Sequence, residues 1–325
     1  VVLLNPAAPY ASNITMIGSW GTFGDVGVED IQFRNPRTGA VDGNGHPIWA
    51  HQGVVMNFEG PLHAPQMTFY VSNVYMWECW NGIRAAHFNS SEIRNVTMQA
   101  MAGDWGIYAY GASEAGRCDQ LKLSNINYSA NDTARLYNRG TGYWIDGFVH
   151  TIQFNRVVAV TPYIGWQFTN SPGLPAGQQP NFLIGDDLEV DFPKYHAIYA
   201  THLDGFFVTN LYLHGSQQGS GLVVANPNID MVKRIRVTQA KITDHAGDNV
   251  RLLCDDAEFH SVEATGWTTG VAVLAGTQRF FAVGGEYGGR RGVSAPWGVW
   301  RENPATWVSL TAAKLDGHLG AHNIT

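Results

Sequence analysis

A short unit returns along almost the whole chain, and that recurrence constrains the fold more than any single motif. A small residue followed by an alternating triplet stands at Gly53-Val-Val-Met, Gly82-Ile-Arg-Ala, Gly106-Ile-Tyr-Ala, Arg135-Leu-Tyr-Asn, Gly165-Trp-Gln-Phe, Ala197-Ile-Tyr-Ala, Gly221-Leu-Val-Val, Asn249-Val-Arg-Leu, Gly270-Val-Ala-Val and Gly298-Val-Trp-Arg. Successive anchors lie 21 to 32 residues apart, about 27 on average. A second series precedes each later anchor, as in Val74-Tyr-Met, Val96-Thr-Met, Leu211-Tyr-Leu and Val262-Glu-Ala. An amide or acid often stands just before it: Asn73, Asn95, Asn125, Asp187, Asn210, and Asn155 one residue early. A third, fainter series sits upstream again, as in Leu121-Lys-Leu, Ile152-Gln-Phe and Phe281-Ala-Val.

Three short strands and three turns per repeat describe one circuit of a solenoid in which each strand pairs with its counterpart one circuit on. Alternation then sends one set of residues to an apolar interior and their neighbours to solvent. Asn at an equivalent turn tolerates the left-handed conformation and ladders its amides from coil to coil. Gly at the other turn is expected to supply positive φ. Uneven intervals imply loops of different length at one or two corners. A β-sandwich gives no reason for three-part repeats, and a propeller needs four strands in about 40 residues. Parallel crossovers are right-handed. The predicted fold is an all-β, right-handed, single-stranded parallel β-helix of about ten coils over residues 14–316, with a lead-in at 1–13 and a tail at 317–325.

Composition narrows the function classes. Of 325 residues, 45% are hydrophobic and 14% charged, which suits a large core and excludes a disordered chain. Net charge is −7, and the basic stretches, Lys233-Arg234-Ile235-Arg236 and Arg290-Arg291, are too short for a nucleic-acid footprint. No apolar run reaches the roughly 18 residues of a membrane span, so no membrane insertion is expected. Cys79, Cys118 and Cys254 are odd in number, with no CxxC or ligand-spaced His, so they read as buried thiols. No cofactor or metal is expected: Asp42-Gly43-Asn44-Gly45-His46 lacks the further acids of a calcium loop. His46, His51, His196 and His245 are scattered.

The repeats, such as Ile93-Arg-Asn-Val-Thr-Met and Phe207-Val-Thr-Asn-Leu-Tyr-Leu, resemble those of right-handed parallel β-helix proteins of the pectate-lyase-like superfamily, which includes phage tailspikes and polysaccharide depolymerases. The likeness covers most of the chain at the level of fold. It implies a polysaccharide or surface glycan as partner, a homotrimer, and a virion or extracellular location. Members often open with a capping helix, so the lead-in from Val1 reads as continuing from an upstream cap. Gly185-Asp186-Asp187 is similar to the Gly-Asp-Asp of polygalacturonases, but the Asn-Thr-Asp and Gly-His-Gly that accompany it there are missing. Asp187 therefore reads as a ladder residue.

The repeat fixes which residues face outward. The middle positions of the anchor triplets are Val55, Arg84, Tyr108, Tyr137, Gln167, Tyr199, Val223, Arg251, Ala272 and Trp300, with Trp80, Trp105, Tyr163, Tyr195 and Trp297 just before. Stacked about 4.8 Å apart, they form a stripe suited to sugar rings, which offer an apolar face and a rim of hydroxyls. Tyr108, Tyr137, Tyr199, Arg251, Trp300, Trp105 and Trp297 are the candidate substrate-binding residues. The same stripe suits subunit packing equally well.

A second outward column carries Lys241, Glu263, Glu286 and Lys314 on successive coils. Two carboxylates one coil apart sit at the separation of a retaining glycosidase. Glu263 and Glu286 are thus the candidate catalytic pair, with Lys241 as the base if cleavage is by elimination. A solvated charge ladder accounts for the same column. Asp104, Asp244 and Asp248, near the stripe, are rival acids. The reading is a tailspike-like glycoside hydrolase; the alternatives are a polysaccharide lyase on the same fold and a non-catalytic adhesive module.

Overall fold

Each repeat closes as a long bent strand followed by a short straight one, and the two kinds stack into separate sheets. The computed structural model describes residues 2–3, 11–20, 24–35, 37–43, 45, 47–49, 51–62, 67–175, 177–226, 228, 231–289 and 297–316. A 14-stranded sheet holds the long strands, among them Met67–Trp77, Ser91–Met101, Leu121–Ala130, His150–Val160, Asn181–Asp191 and Leu203–His214. An 11-stranded sheet holds the short ones, among them Asn81–Ala86, Trp105–Gly111, Thr141–Gly147, Trp166–Thr169 and Ile198–Ala200. Within both sheets, strands from successive circuits pair in parallel. The chain is a right-handed parallel β-helix.

In most coils the second and third sequence series fuse into one long strand; toward the C-terminal end they stay apart, as Arg279–Val283 with Glu286–Gly289 and Trp307–Thr311 with Lys314–Asp316. The residue at their junction takes positive φ, as at Asn73 (55°), Asn95 (51°), Asn125 (52°) and Asn210 (52°), and turns the strand so that its two arms form different faces. With the short sheet they make three faces. The amides ladder as expected: Asn73 donates to Asp30 at 3.0 Å, Asn95 to Asn73 at 3.0 Å and Asn125 to Asn95 at 2.9 Å. Arg156 (φ 54°), not Asn155, occupies the position one coil on.

Alternation builds the interior. Ile83, Ile107, Tyr143, Trp166, Ile198, Leu222 and Val250 pair in register and are fully buried. Rings stack between coils, Phe58 on Phe69 at 4.7 Å and Tyr143 on Trp166 at 4.5 Å. Each such side chain contributes roughly 1.5–3 kcal/mol by leaving water. Cys79, Cys118 and Cys254 are free and buried, and burial pushes the thiols of the first two up to about 12.

Three expectations require correction. The Arg135-Leu-Tyr-Asn anchor is not a strand: Asp132–Leu136 is a short helix capped by Asn131, whose side chain accepts from the Ala134 N–H. The strand of that coil is Thr141–Gly147, and Trp144, not Tyr137, pairs with Tyr108. Val55 is fully buried, and Asn57 pairs with Arg84 in its place. The anchor glycines are selected by space and not by φ. A Cβ on Gly82 would meet the Gly106 carbonyl oxygen at 2.3 Å, and one on Gly165 would meet that of Ala197 at 2.4 Å. The tail 317–325, most of the lead-in, and Asn44, His46, Arg290 and Arg291 lie outside the described residues. Among the described residues no helix is long and apolar enough to cross a membrane.

Candidate functional site

The outer surface of the short-strand sheet carries the aromatic column. Register runs Asn57, Arg84, Tyr108, Trp144, Gln167, Tyr199, Val223, Arg251, Ala272 and Trp300. Arg84 through Tyr199 are half-buried over five successive coils, whereas Val223 and Ala272 are buried and separate Arg251 and Trp300 from them. Trp105 (7% exposed) flanks the column, its ring 5.6 Å from that of Tyr108, and Tyr108 lies 4.9 Å from Trp144. Arg84 donates to Asn57 at 2.8 Å and to Glu59 at 2.7 Å, which fixes its guanidinium along the coil axis.

Two residues further along each strand the next outward position reads Glu59, Ala86, Tyr110, Asp146 and Thr169. Asp146 is only 1% exposed and is the best-held acid of this face. Its Oδ2 accepts from the Tyr108 hydroxyl at 3.1 Å, and its Oδ1 accepts from Thr169 Oγ1 and from the Ser171 N–H, both at 2.8 Å. Thr169 in turn accepts from Trp144 Nε1 at 2.8 Å. Three donors supply what a buried carboxylate needs. The phenol of Tyr108 responds to this setting. Burial raises its pKa well above the ordinary tyrosine range, and the Asp146 charge and hydrogen bond raise it further.

Histidines ring the same face as neutral groups. Among the described residues, neither ring nitrogen of His87 (4% exposed) has a hydrogen-bond partner, and the ring sits 6.1 Å from that of Tyr110; burial lowers its pKa. Its φ is +53°, at a turn position where the flanking coils place Gly60 and Gly111. His196 stacks on Tyr199 at 5.2 Å and accepts from the Ser220 N–H at Nδ1, and burial pushes it down to about 4. Its proton therefore resides on Nε2. Tyr163 and Tyr195 stack at 5.8 Å beside it.

The other predicted residues are scattered over the molecule. Tyr137 caps the helix and hydrogen-bonds Asp42. Lys241, Glu263, Glu286 and Lys314 do pair in register, but on the second arm of the long strands, a different face from the aromatic column. There Thr265 donates to Glu263 at 3.1 Å and Lys314 to Glu286 at 3.2 Å. Asp104 pairs with Arg139 at 3.4 Å, and Asp244 lies 3.5 Å from His214, which Asp191 also holds at 2.9 Å. Burial raises the pKa of Asp248, against a hydrogen bond from Thr269 and the charge of Arg251. Trp297 and Trp300 are half-buried at the far end. Asp146, Trp144, Tyr110 and His87 escaped the sequence reading. Extending the frame of Tyr108 by two residues and one coil leads to Asp146, so the signal for it was present.

No family model matches the chain, and no curated protein matches it in sequence. Among solved structures it is similar to the mannuronan C-5 epimerase A-module of Azotobacter vinelandii, at 12% identity and a TM-score of 0.53. The alignment covers 93% of this chain and 90% of that one, so the likeness is one of fold along nearly the full length of both.

Proposed function

We propose that the outer face of the short-strand sheet binds a polysaccharide, and that Tyr108, held by Asp146, supplies the proton that lets a glycosidic bond break. One observation carries the reading: a buried carboxylate bears three donors, one of them a half-buried phenol set between two indole rings. Burial and the adjacent charge both oppose ionisation of Tyr108. The phenol therefore keeps its proton near neutrality and does not serve as a base. In the substrate complex the hydroxyl turns from Asp146 to the leaving oxygen and hands over its proton as the bond to carbon breaks; the phenolate regains a proton from water, and Asp146 is a positioning residue that holds the phenol in place. Trp144 and Tyr199 offer faces to sugar rings, with the buried Trp105 backing Tyr108, and Arg84, Gln167 and Arg251 offer hydrogen bonds to their rims. A fold neighbour named for a mannuronan-modifying activity supports a sugar polymer as ligand.

Either water attack or loss of a ring proton completes the cleavage, giving a hydrolase or a lyase. The new chain end tells them apart, saturated in one case and unsaturated, absorbing in the ultraviolet, in the other. The second reading is hydrolysis by Glu263 and Glu286, favoured by their pairing in register one coil apart. The ion pair of Glu286 with Lys314 weighs against it. The test is incubation with a panel of bacterial surface polysaccharides, followed by analysis of new chain ends for wild type and Tyr108→Phe. Loss of a general acid predicts a fall of about a hundredfold or more. Full activity in Tyr108→Phe removes the assignment, and unchanged polymer across the panel favours an adhesive module.

A further inference from the structure

One corner of the β-helix is built unlike the rest. Between long and short strands, the coils at 78–80 and 102–104 turn in three residues. On either side of these two coils the same corner carries an insertion. One is a hairpin, Arg37–Val41 with Pro47–Trp49, and the other is the helix Asp132–Leu136, three coils on. At about 4.8 Å per coil the insertions stand roughly 14 Å apart, and the Tyr137 hydroxyl donates to Asp42 across the gap. The space so enclosed is a cleft of about 340 Å³ lined by Trp49, Gln52, Trp80, Tyr137 and Arg139.

Its walls are aromatic with a polar rim. Trp49 and Trp80 meet edge to face at 6.1 Å, and the Arg139 guanidinium lies 5.5 Å from the Trp80 ring and 5.7 Å from that of Tyr137. Trp49 is 1% exposed, yet its indole N–H has no acceptor among the described residues. A buried donor without a partner is destabilising, and an oxygen-rich ligand would supply the missing acceptor.

We propose that this cleft holds a single pyranose ring of a glycan, packed against the Trp80 indole with its hydroxyls turned to Arg139, Asp42 and the Trp49 N–H. The volume sits at the lower end of small-ligand pockets, about 300–1,000 Å³, which suits one ring and not an oligosaccharide. Sugars match the lining, with C–H faces for indoles and hydroxyls for the rim. Asn81, next to Trp80, accepts from the Asp104 N–H at 2.7 Å and the Trp105 N–H at 3.3 Å, so the cleft adjoins the Trp105 end of the aromatic column. The bound ring is a terminal or branching unit of the polymer on that column, and this step rests on the polysaccharide reading of the column.

The experiment titrates the protein with methyl pyranosides of neutral, N-acetylated and uronate sugars, read by calorimetry and saturation-transfer NMR. Wild type is expected to bind at least one at millimolar concentration. Arg139→Gln, at a side chain 41% exposed, is expected to weaken it at least about fivefold with an unchanged melting temperature. Tyr108→Phe is expected to leave ring binding intact. No binding by any glycoside, or Arg139→Gln and Trp80→Ala both binding as wild type does, overturns the proposal. Polymer cleavage without ring binding removes the cleft alone, whereas ring binding without any polymer altered removes only the reading of the column.

Discussion

Tyr108 and Asp146 depend on each other, which is why the site concentrates in one pair of side chains. The phenol is a donor because the carboxylate lies beside it, and the carboxylate is stable at 1% exposure because the phenol, Thr169 and Ser171 all donate to it. His245 makes a different kind of pair, with the backbone. Its Nδ1 accepts from the Ser216 N–H at 3.1 Å and its Nε2 lies 3.1 Å from the Leu213 carbonyl, so only the neutral ring satisfies both. Burial pushes it from 6.5 down to about 4. The unfolded chain takes up this proton below about 6.5 and the folded chain only near 4, so stability is lost as pH falls through that window. The loss is on the order of 3 kcal/mol for this group. Urea midpoints measured from pH 7 to 4 are expected to fall steeply in wild type and less steeply in His245→Asn. Equal slopes in the two proteins contradict this account.

At the scale of the element, a strand stays in place by matching its neighbour in the next coil. Asn95 shows how much one position can carry. It takes φ of 51°, donates to Asn73 and accepts from Asn125. Asn95→Ala is expected to cost about 1–3 kcal/mol in equilibrium unfolding, since it loses both amide bonds and strains the left-handed backbone. Asn95→Gly loses the same amide bonds but keeps the backbone relaxed and should cost less; the reverse order would contradict the strain argument. The ladder was legible because Asn73, Asn95 and Asn125 recur in one frame. The second outward column was legible for the same reason: it stays in register from Tyr75 to Lys314, because period two survives along the arm that follows each bend. The fourth anchor was not. Leu136-Tyr137-Asn138 imitates the triplet, but Asn131 and Asp132 begin a helix there, and a repeat pattern alone does not detect an insertion that copies it. The role of the glycines was also illegible, because contact with the next coil depends on register that no single repeat reveals.

Across the whole molecule, three faces divide the work. The short sheet presents the aromatic column, the second arm the charged column, and the first arm exposes Ile184 (42%) beside Phe207 in register. We propose that a homotrimer, which the sequence resemblance implies, buries this apolar pair. Light scattering is expected to return three times the chain mass, and a monomer at micromolar concentration would remove the trimer from this account. The division also separates two hypotheses that the sequence had joined. Glu263 and Glu286 belong to the second outward column, and the bend at Ser261 (φ 52°) and the corner after Gly266 set that column on a different face from the aromatic stripe.

That separation makes one comparison decisive. Purified wild type, Asp146→Asn and Glu263→Gln are incubated with the same surface polysaccharides, and newly formed chain ends are counted. The account predicts cleavage by wild type and by Glu263→Gln, with loss of about a hundredfold or more in Asp146→Asn. Undiminished cleavage by Asp146→Asn beside an inactive Glu263→Gln would contradict it.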